Sequence, residues 1–334
     1  MRDRWLLLGS LLLGTPLWLA LWLGGYAVLP GPGSAQEVRR VVIPAGTGLR
    51  GISRLLAEAG VIRPDVRFAV LARLRGQAGR LQAGVYRLSA GLAPVEVLAA
   101  LVRGGTARQP VTIPEGLTAA AVADLLAGAG LADRERFLEL TGSDTLAQEL
   151  GIAATHLEGY LFPDSYALVP GMDEETIVRL MVNRFASVYQ DLAHRYPGAA
   201  LDRHGVVTLA SIVEKETGRA QERPLVAAVF LNRLRLDMPL QADPTVIYGL
   251  ERFDGNLTRQ HLASDSPYNT YVHRGLPPGP IANPGRAALE AVLAPAAVPY
   301  LYFVAKNDGS HQFSTDFAAH SQAVRRYQGD SRRP

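Results

Sequence analysis

The chain opens on a long apolar run. From Trp5 to Leu29 it is dominated by Leu and Trp, and no charged side chain occurs between Trp5 and Gln36. At about 1.5 Å per helical residue, the run can cross a hydrocarbon core about 30 Å thick, with some tilt. Trp5 and Trp22 fall near the two expected interfaces. A cleavable signal peptide has a shorter apolar core, roughly 7–15 residues, although the small residues Gly33-Ser34-Ala35 would suit cleavage. The pattern predicts a cytoplasmic tail over 1–4, a transmembrane helix over 5–29, and a breaker-rich linker over 30–37. Nothing else in the chain reads as a span. The expected topology is therefore single-pass, N-terminus inside, with the remainder outside the cytoplasm.

A faint repeat follows. Val41-Val42-Ile43-Pro44-Ala45-Gly46 recurs as Val111-Thr112-Ile113-Pro114-Glu115-Gly116. Each copy leads into an amphipathic stretch, Leu49 to Ala59 and Leu117 to Ala129, which ends at Ala-Gly. A second short helical stretch then lies around Phe68 and around Phe137. The reading is a strand, a turn, a helix closed by glycine and another helix, present twice. Gly84 to Leu88 alternates as a strand between the copies.

From about residue 175 the period becomes helical. Helices are predicted over Glu174 to Arg195, Val206 to Thr217 (with Gly218 as stop) and Arg223 to Leu236. The segment Asp237 to Gly285 is rich in proline and mostly irregular. Asn283-Pro284 then caps a helix reaching Leu293. Tyr300 to Lys306 and His311 to Ser314 alternate around Asn307-Asp308-Gly309-Ser310, a β-hairpin signal. A last helix runs from Asp316 to Tyr327, with Thr315 as its N-cap. The fold class is α+β, with a mainly helical second half.

Composition narrows the chemistry. The net charge is only +3 and there is no cysteine. No basic block stands out, so nucleic acid is not an expected partner. The absence of cysteine excludes a disulfide framework, a thiolate metal site and a cysteine nucleophile. His-Glu-x-x-His, Gly-x-Ser-x-Gly, Walker-type and Gly-x-Gly-x-x-Gly patterns are missing. No metal and no cofactor are expected. His156, two residues from Glu158, is weak evidence for a metal site, and His311 and His320 read as structural or rim residues.

One carboxylate stands out. In the helix Val206 to Thr217, Val206, Leu209, Ile212 and Val213 form an apolar stripe, and Glu216 falls on it. Glu214 is expected to face water. Partial burial and the negative end of the helix dipole both raise the pKa of Glu216. A raised carboxyl pKa is what a general acid for a glycosidic oxygen needs near neutral pH. The long loop that follows holds Gln241, Asp243, Thr245, Tyr248, Tyr268, Asn269, Tyr271 and Asn283 among its prolines and glycines. Long irregular segments in compact domains are usually functional. Amides, hydroxyls and tyrosine rings suit sugars, and prolines lower the ordering cost of binding.

The residues also carry a resemblance. Leu209-Ala-Ser-Ile-Val-Glu-Lys-Glu-Thr217 resembles the active-site helix of the endolytic murein transglycosylases, the YceG-like family. The same holds for Val229-Phe-Leu-Asn-Arg-Leu234, Leu240-Gln-Ala-Asp-Pro-Thr-Val-Ile-Tyr-Gly249, Tyr268-Asn-Thr-Tyr271, Gly275-Leu-Pro-Pro-Gly279, Glu158-Gly-Tyr-Leu-Phe-Pro-Asp164 and Tyr300-Leu-Tyr-Phe-Val-Ala305. The repeated modules are similar to LysM-type modules, which grip cell-wall glycans. This gives a LysM-like module over 38–108 and a catalytic domain over 109–334, beginning with a second LysM-like repeat at about 109–150.

The resemblance implies a lyase of the bacterial inner membrane. Its expected reaction cuts the β-1,4 bond between N-acetylmuramic acid and N-acetylglucosamine inside nascent peptidoglycan strands, leaves 1,6-anhydro ends, and thereby terminates strand elongation. It places the catalytic glutamate at Glu216 and leaves the eight loop residues as substrate-binding candidates. Peptidoglycan synthases (penicillin-binding proteins) are the implied partners. Two alternatives stay open: a water-using muramidase with Glu216 and Asp243, and a non-catalytic wall-binding scaffold.

Overall fold

The computed structural model describes residues 21–44, 46–104, 109–169 and 171–329. These form a mixed α+β chain, mostly helical, with three two-stranded sheets. The chain divides into two compact units. One holds the described residues up to Val111, with 130–132 and 167–173. The other holds Thr112–Ala129, Asp133–Tyr166 and the rest from Glu174.

In the first unit, residues 21–28 are helical (α1). Strand β1 (Val38–Ile43) pairs antiparallel with β2 (Gly84–Ser89), Val41 opposite Tyr86. Val41 and Ile43 point inward and Val42 outward, the period of two that a half-buried strand requires. Between them lie α2 (Leu49–Glu58) and α3 (Arg67–Leu74), and α4 (Pro94–Arg103) follows. Gly60, at φ 71°, takes the left-handed turn that lets Val61 N bond back to Leu56 O, which closes α2 as the Ala-Gly signal predicts. Ile52, Leu56, Phe68, Leu88, Leu98 and Leu101 form the core, and Leu23, Tyr26 and Ala27 of α1 join it. The Arg67 guanidinium lies over the rings of Tyr26 and Trp22. Among the described residues no helix is long and apolar enough to cross a membrane. Most of the expected span over 5–29 lies outside the described residues.

The second repeat appears as β3 (Gln109–Thr112), α5 (Ala119–Gly128) and α6 (Arg134–Thr141). A short α7 (Asp144–Glu149) follows, and β4 (Ser165–Leu168) pairs with β3. The larger unit also holds α8 (Glu174–Arg195), α9 (Arg203–Glu216) and α10 (Arg223–Arg235). Helix α9 begins earlier than its apolar stripe because the Asp202 side chain caps it, accepting from Gly205 N at 2.7 Å. Every residue from Gly205 to Val213 is buried, so α9 is a central helix and not an amphipathic surface one. The segment expected to be irregular contains α11 (Asp243–Tyr248) and α12 (Arg259–Leu262). Next come α13 (Arg286–Leu293), β5 (Tyr302–Ala305) paired with β6 (His311–Ser314), and α14 (Phe317–Gln328).

Two expected caps move. Helix α13 starts from Gly285, because Asn283 is buried and used elsewhere. Helix α14 is capped by Asp316, which reaches Ala319 N at 2.9 Å, and not by Thr315.

Candidate active site

Glu216 is the last residue of α9. Its backbone leaves the helix at Thr217, which is extended and buried, rather than at Gly218. Thr217 Oγ1 accepts from Arg219 N and donates to Glu222 Oε2, which fixes the exit of the chain. Glu216 keeps some open surface, yet the packed atoms around its carboxyl strip most of its water. That burial, reinforced by the negative charge of Asp243, pushes its pKa up to about 8, with Arg233 pulling the other way. Among the described residues its carboxyl has no hydrogen-bond partner. It is therefore mostly a neutral acid near pH 7, on a residue that keeps part of its surface open.

The neighbours come from the following helices. Asp243 opens α11 and is exposed, and Tyr271 donates its hydroxyl to Asp243 Oδ1 at 2.5 Å. Burial, and then that bond, raise the Tyr271 pKa, so the phenol stays protonated. Arg233 of α10 is buried, and desolvation lowers its pKa below the ordinary guanidinium value. The backbone at Gln241 is held at φ 51°, an uncommon conformation for a side chain with a Cβ. It is over-determined by Thr270, whose carbonyl accepts from Gln241 N and whose hydroxyl accepts from Ala242 N, both at 3.0 Å.

The eight loop candidates separate by what they touch. Thr245 is fully buried, and its hydroxyl bonds Ala242 O and the Thr270 hydroxyl. Asn269 is fully buried; its amide donates to Leu262 O and Ser264 O, and its Oδ1 accepts from Tyr271 N. Asn283 is fully buried and ties three segments together. Its Oδ1 accepts from Leu161 N, and its Nδ2 donates to Leu117 O and Glu158 Oε1. These three spend their polar atoms on the protein and hold the loop in place. Gln241, Asp243, Tyr248, Tyr268 and Tyr271 retain surface to offer a ligand. The Tyr248 and Tyr268 rings sit 4.8 Å apart.

Glu214 does not face water, contrary to the helical-wheel expectation. Its side chain is 5% exposed, pairs with Arg223 at 2.8 Å and accepts from Gly285 N at 2.9 Å. The wheel assumed one buried face, whereas α9 is packed from both sides. A second buried acid, Glu158, enters the sequence reading only as the start of the Glu158 to Asp164 motif and as the neighbour of His156, with no role of its own. Both of its oxygens accept from Ala119 N at 3.0 Å, at the positive end of α5, and Tyr248 donates to Oε2 at 3.4 Å. Burial still outweighs these bonds and raises its pKa to about 7. His311 bonds Glu222 at 2.6 Å and so ties the hairpin to the start of α10. The pairing gives His311 a structural place. Among the described residues no group of His, Asp and Glu is arranged to hold a metal.

Comparison with known proteins gives a concordant result. A model of the YceG-like family matches residues 41–326. The endolytic murein transglycosylase of Bacillus subtilis (strain 168) is 32% identical over 301 residues, covering 85% of this chain and 83% of that protein. The protein of the same name from Streptococcus pneumoniae (serotype 2, strain D39 / NCTC 7466) is 30% identical over 333 residues. That match covers 89% of this chain and 60% of the longer relative. A crystal structure of a YceG-like protein from Listeria monocytogenes shares 32% identity and superposes with a TM-score of 0.59, covering 86% of this chain and 99% of that one.

Proposed function

The chain belongs to the YceG-like family, and on that premise we propose that it is an endolytic murein transglycosylase in which Glu216 is both general acid and general base. The observation that carries the reading is the state of Glu216: a carboxyl at the end of a buried helix, desolvated and protonated near neutral pH. An acid in that state can protonate the oxygen of a β-1,4 bond between N-acetylmuramic acid and N-acetylglucosamine. The charge left at C1 is met by the acetamido oxygen of the same sugar. Glu216, now a carboxylate, takes the C6 hydroxyl proton as that oxygen closes on C1. The product is a 1,6-anhydro end and no water is consumed, so one carboxyl suffices where ordinary glycosidases use two.

Around this centre, Gln241, Asp243, Tyr248, Tyr268 and Tyr271 offer amide, carboxylate and ring surfaces to the glycan. We propose further that the first module grips glycan strands in LysM fashion, and that the N-terminal apolar segment anchors the chain in the inner membrane. The larger unit would then face the periplasm, close to the peptidoglycan synthases. Cuts in nascent strands at that place would end their elongation.

The exposed carboxylate of Asp243, whose field reaches Glu216, favours the muramidase as a second reading. Mass spectrometry of uncrosslinked strands digested by wild type and by Glu216→Gln separates the possibilities. Internal anhydro ends made only by the wild type support the transglycosylase. Reducing muramic ends support the muramidase, and cleavage by Glu216→Gln removes the glutamate from its role.

A further inference from the structure

Arg233 is 8% exposed, and its guanidinium is held by carbonyls rather than by an acid. Nε donates to Leu301 O at 2.7 Å. Nη1 donates to Leu240 O at 2.9 Å, with Pro239 O at 3.3 Å and Gln241 Oε1 at 3.4 Å. The cation also lies over the Tyr302 ring, 5.1 Å from its centre. Among the described residues no carboxylate stands within ion-pair distance of it. A buried cation without a bonded counter-ion is costly, and the cost calls for a use. Glu216 is equally without a hydrogen bond. It ends α9, the helix on which both α10 and α11 pack, and the Leu240 and Gln241 oxygens that hold Arg233 lead directly into Asp243 at the start of α11, so Arg233 and Asp243 bear on Glu216 from neighbouring elements.

We propose that Arg233 is the fixed electrostatic partner of the carboxylate that Glu216 becomes midway through the reaction. It is a positioning residue that acts through Glu216, and the proposal rests on the acid/base reading above. In the first step the Glu216 proton moves to the glycosidic oxygen. The C1–O bond breaks with its electron pair going to that oxygen, and the acetamido oxygen bonds C1. In the second step the C6 oxygen bonds C1, the acetamido oxygen leaves with its electron pair, and the C6 proton returns to Glu216. A carboxylate exists only between the steps. A cation already fixed by backbone carbonyls stabilises it without reorganising at that moment.

The groups around the pair act in opposite directions. Glu216 is faced by Arg233 from α10 and by Asp243 from α11, and its charge also reaches Tyr271. Arg233 is faced in addition by Tyr302 of β5 and His320 of α14. Burial, and then Arg233 itself, lower the pKa of His320. Arg233 is thus the cation of this group that favours ionised Glu216, while Asp243 favours the neutral acid.

The test compares wild type, Arg233→Gln and Arg233→Lys, each as the full chain in detergent acting on uncrosslinked glycan strands across pH. Arg233→Gln should lower kcat at least tenfold, on the order of the loss of one preorganised charge. It should also move the alkaline limb of kcat/KM upward by about one unit. Arg233→Lys keeps the charge and should keep the limb at the wild-type position, even with reduced turnover. A purely structural arginine would cut the folded fraction without moving the limb. A limb in folded Arg233→Gln that coincides with wild type, or the same displacement in both variants, overturns the proposal. Should Arg233→Gln not fold, Arg233→Lys decides: turnover with an unmoved limb supports the proposal, and a folded, inactive Lys variant overturns it. Glu216→Gln run alongside separates the failures. Cleavage persisting there defeats the acid/base reading itself. Its loss there, with an unmoved limb in Arg233→Gln, defeats only the role of Arg233.

Discussion

Replacing the catalytic acid should make this protein more stable, and increasingly so as pH rises. Glu216 has a pKa near 4.5 when unfolded and about 8 when folded. Between those values the folded state binds more protons than the unfolded one. Stability is therefore complete below about pH 4.5 and is lost as pH rises towards and through 8. At 1.36 kcal/mol per unit, the whole window amounts to about 5 kcal/mol, and about 3 kcal/mol of it has gone by pH 7. Gln fills nearly the same space and does not titrate. Glu216→Gln should thus match wild type near pH 4.5 and exceed it by about 3 kcal/mol at pH 7. For a unit of this size that is a Tm rise of roughly 6–12 °C. Glu158 titrates within the same window but is present in both proteins, so it cancels in the difference. Calorimetry of both chains from pH 5 to 9 is the assay. A Tm difference that is flat with pH, or a wild type that is the more stable at pH 8, would refute the burial of Glu216 as described.

Three further outcomes follow from the same geometry. The alkaline limb of kcat/KM should fall near pH 8, and Asp243→Asn should move it to lower pH with turnover retained; complete loss of cleavage in a folded Asp243→Asn would favour the two-carboxylate muramidase. Glu214→Gln leaves Arg223 buried without its close partner and should cost about 3–5 kcal/mol, visible as a lowered Tm with near-normal turnover per folded molecule; an unchanged Tm would contradict the pairing. Asn283→Ala strips partners from Leu161 N, Leu117 O and Glu158 and should cost about 3 kcal/mol, with faster proteolysis near residues 277–285; wild-type protease resistance would argue against its tying role.

Much of the architecture was legible because local signals and packing agree. Helix α8 spans Glu174–Arg195 as its periodicity indicates, the hairpin forms around Asn307-Gly309, and Gly60 closes α2. Where the reading fell short, tertiary contacts decided. The stripe on α9 locates Glu216, but a single-face pattern cannot show that a helix is packed on both sides, and so it points Glu214 to solvent. Asn283 beside Pro284 is a sound cap signal in isolation. Its amide is instead consumed by Leu117, Leu161 and Glu158, all distant in sequence. The same holds within the loop: composition selected polar residues suited to sugar without separating Tyr271, which keeps open surface, from Thr245 and Asn269, which do not. Arg233 lies in the Val229 to Leu234 motif, but nothing in that motif singles it out, since its carbonyl partners come from the loop after α10 and from the approach to β5.

The most direct test of the central claim is digestion of purified glycan strands in ¹⁸O-labelled water, with mass analysis of the new muramic ends. Glu216 acting as both acid and base, with the C6 hydroxyl as nucleophile, predicts ends that carry no label and weigh one water less than a reducing sugar. Label at C1 of the muramic end would show that water is the nucleophile, and would contradict the account.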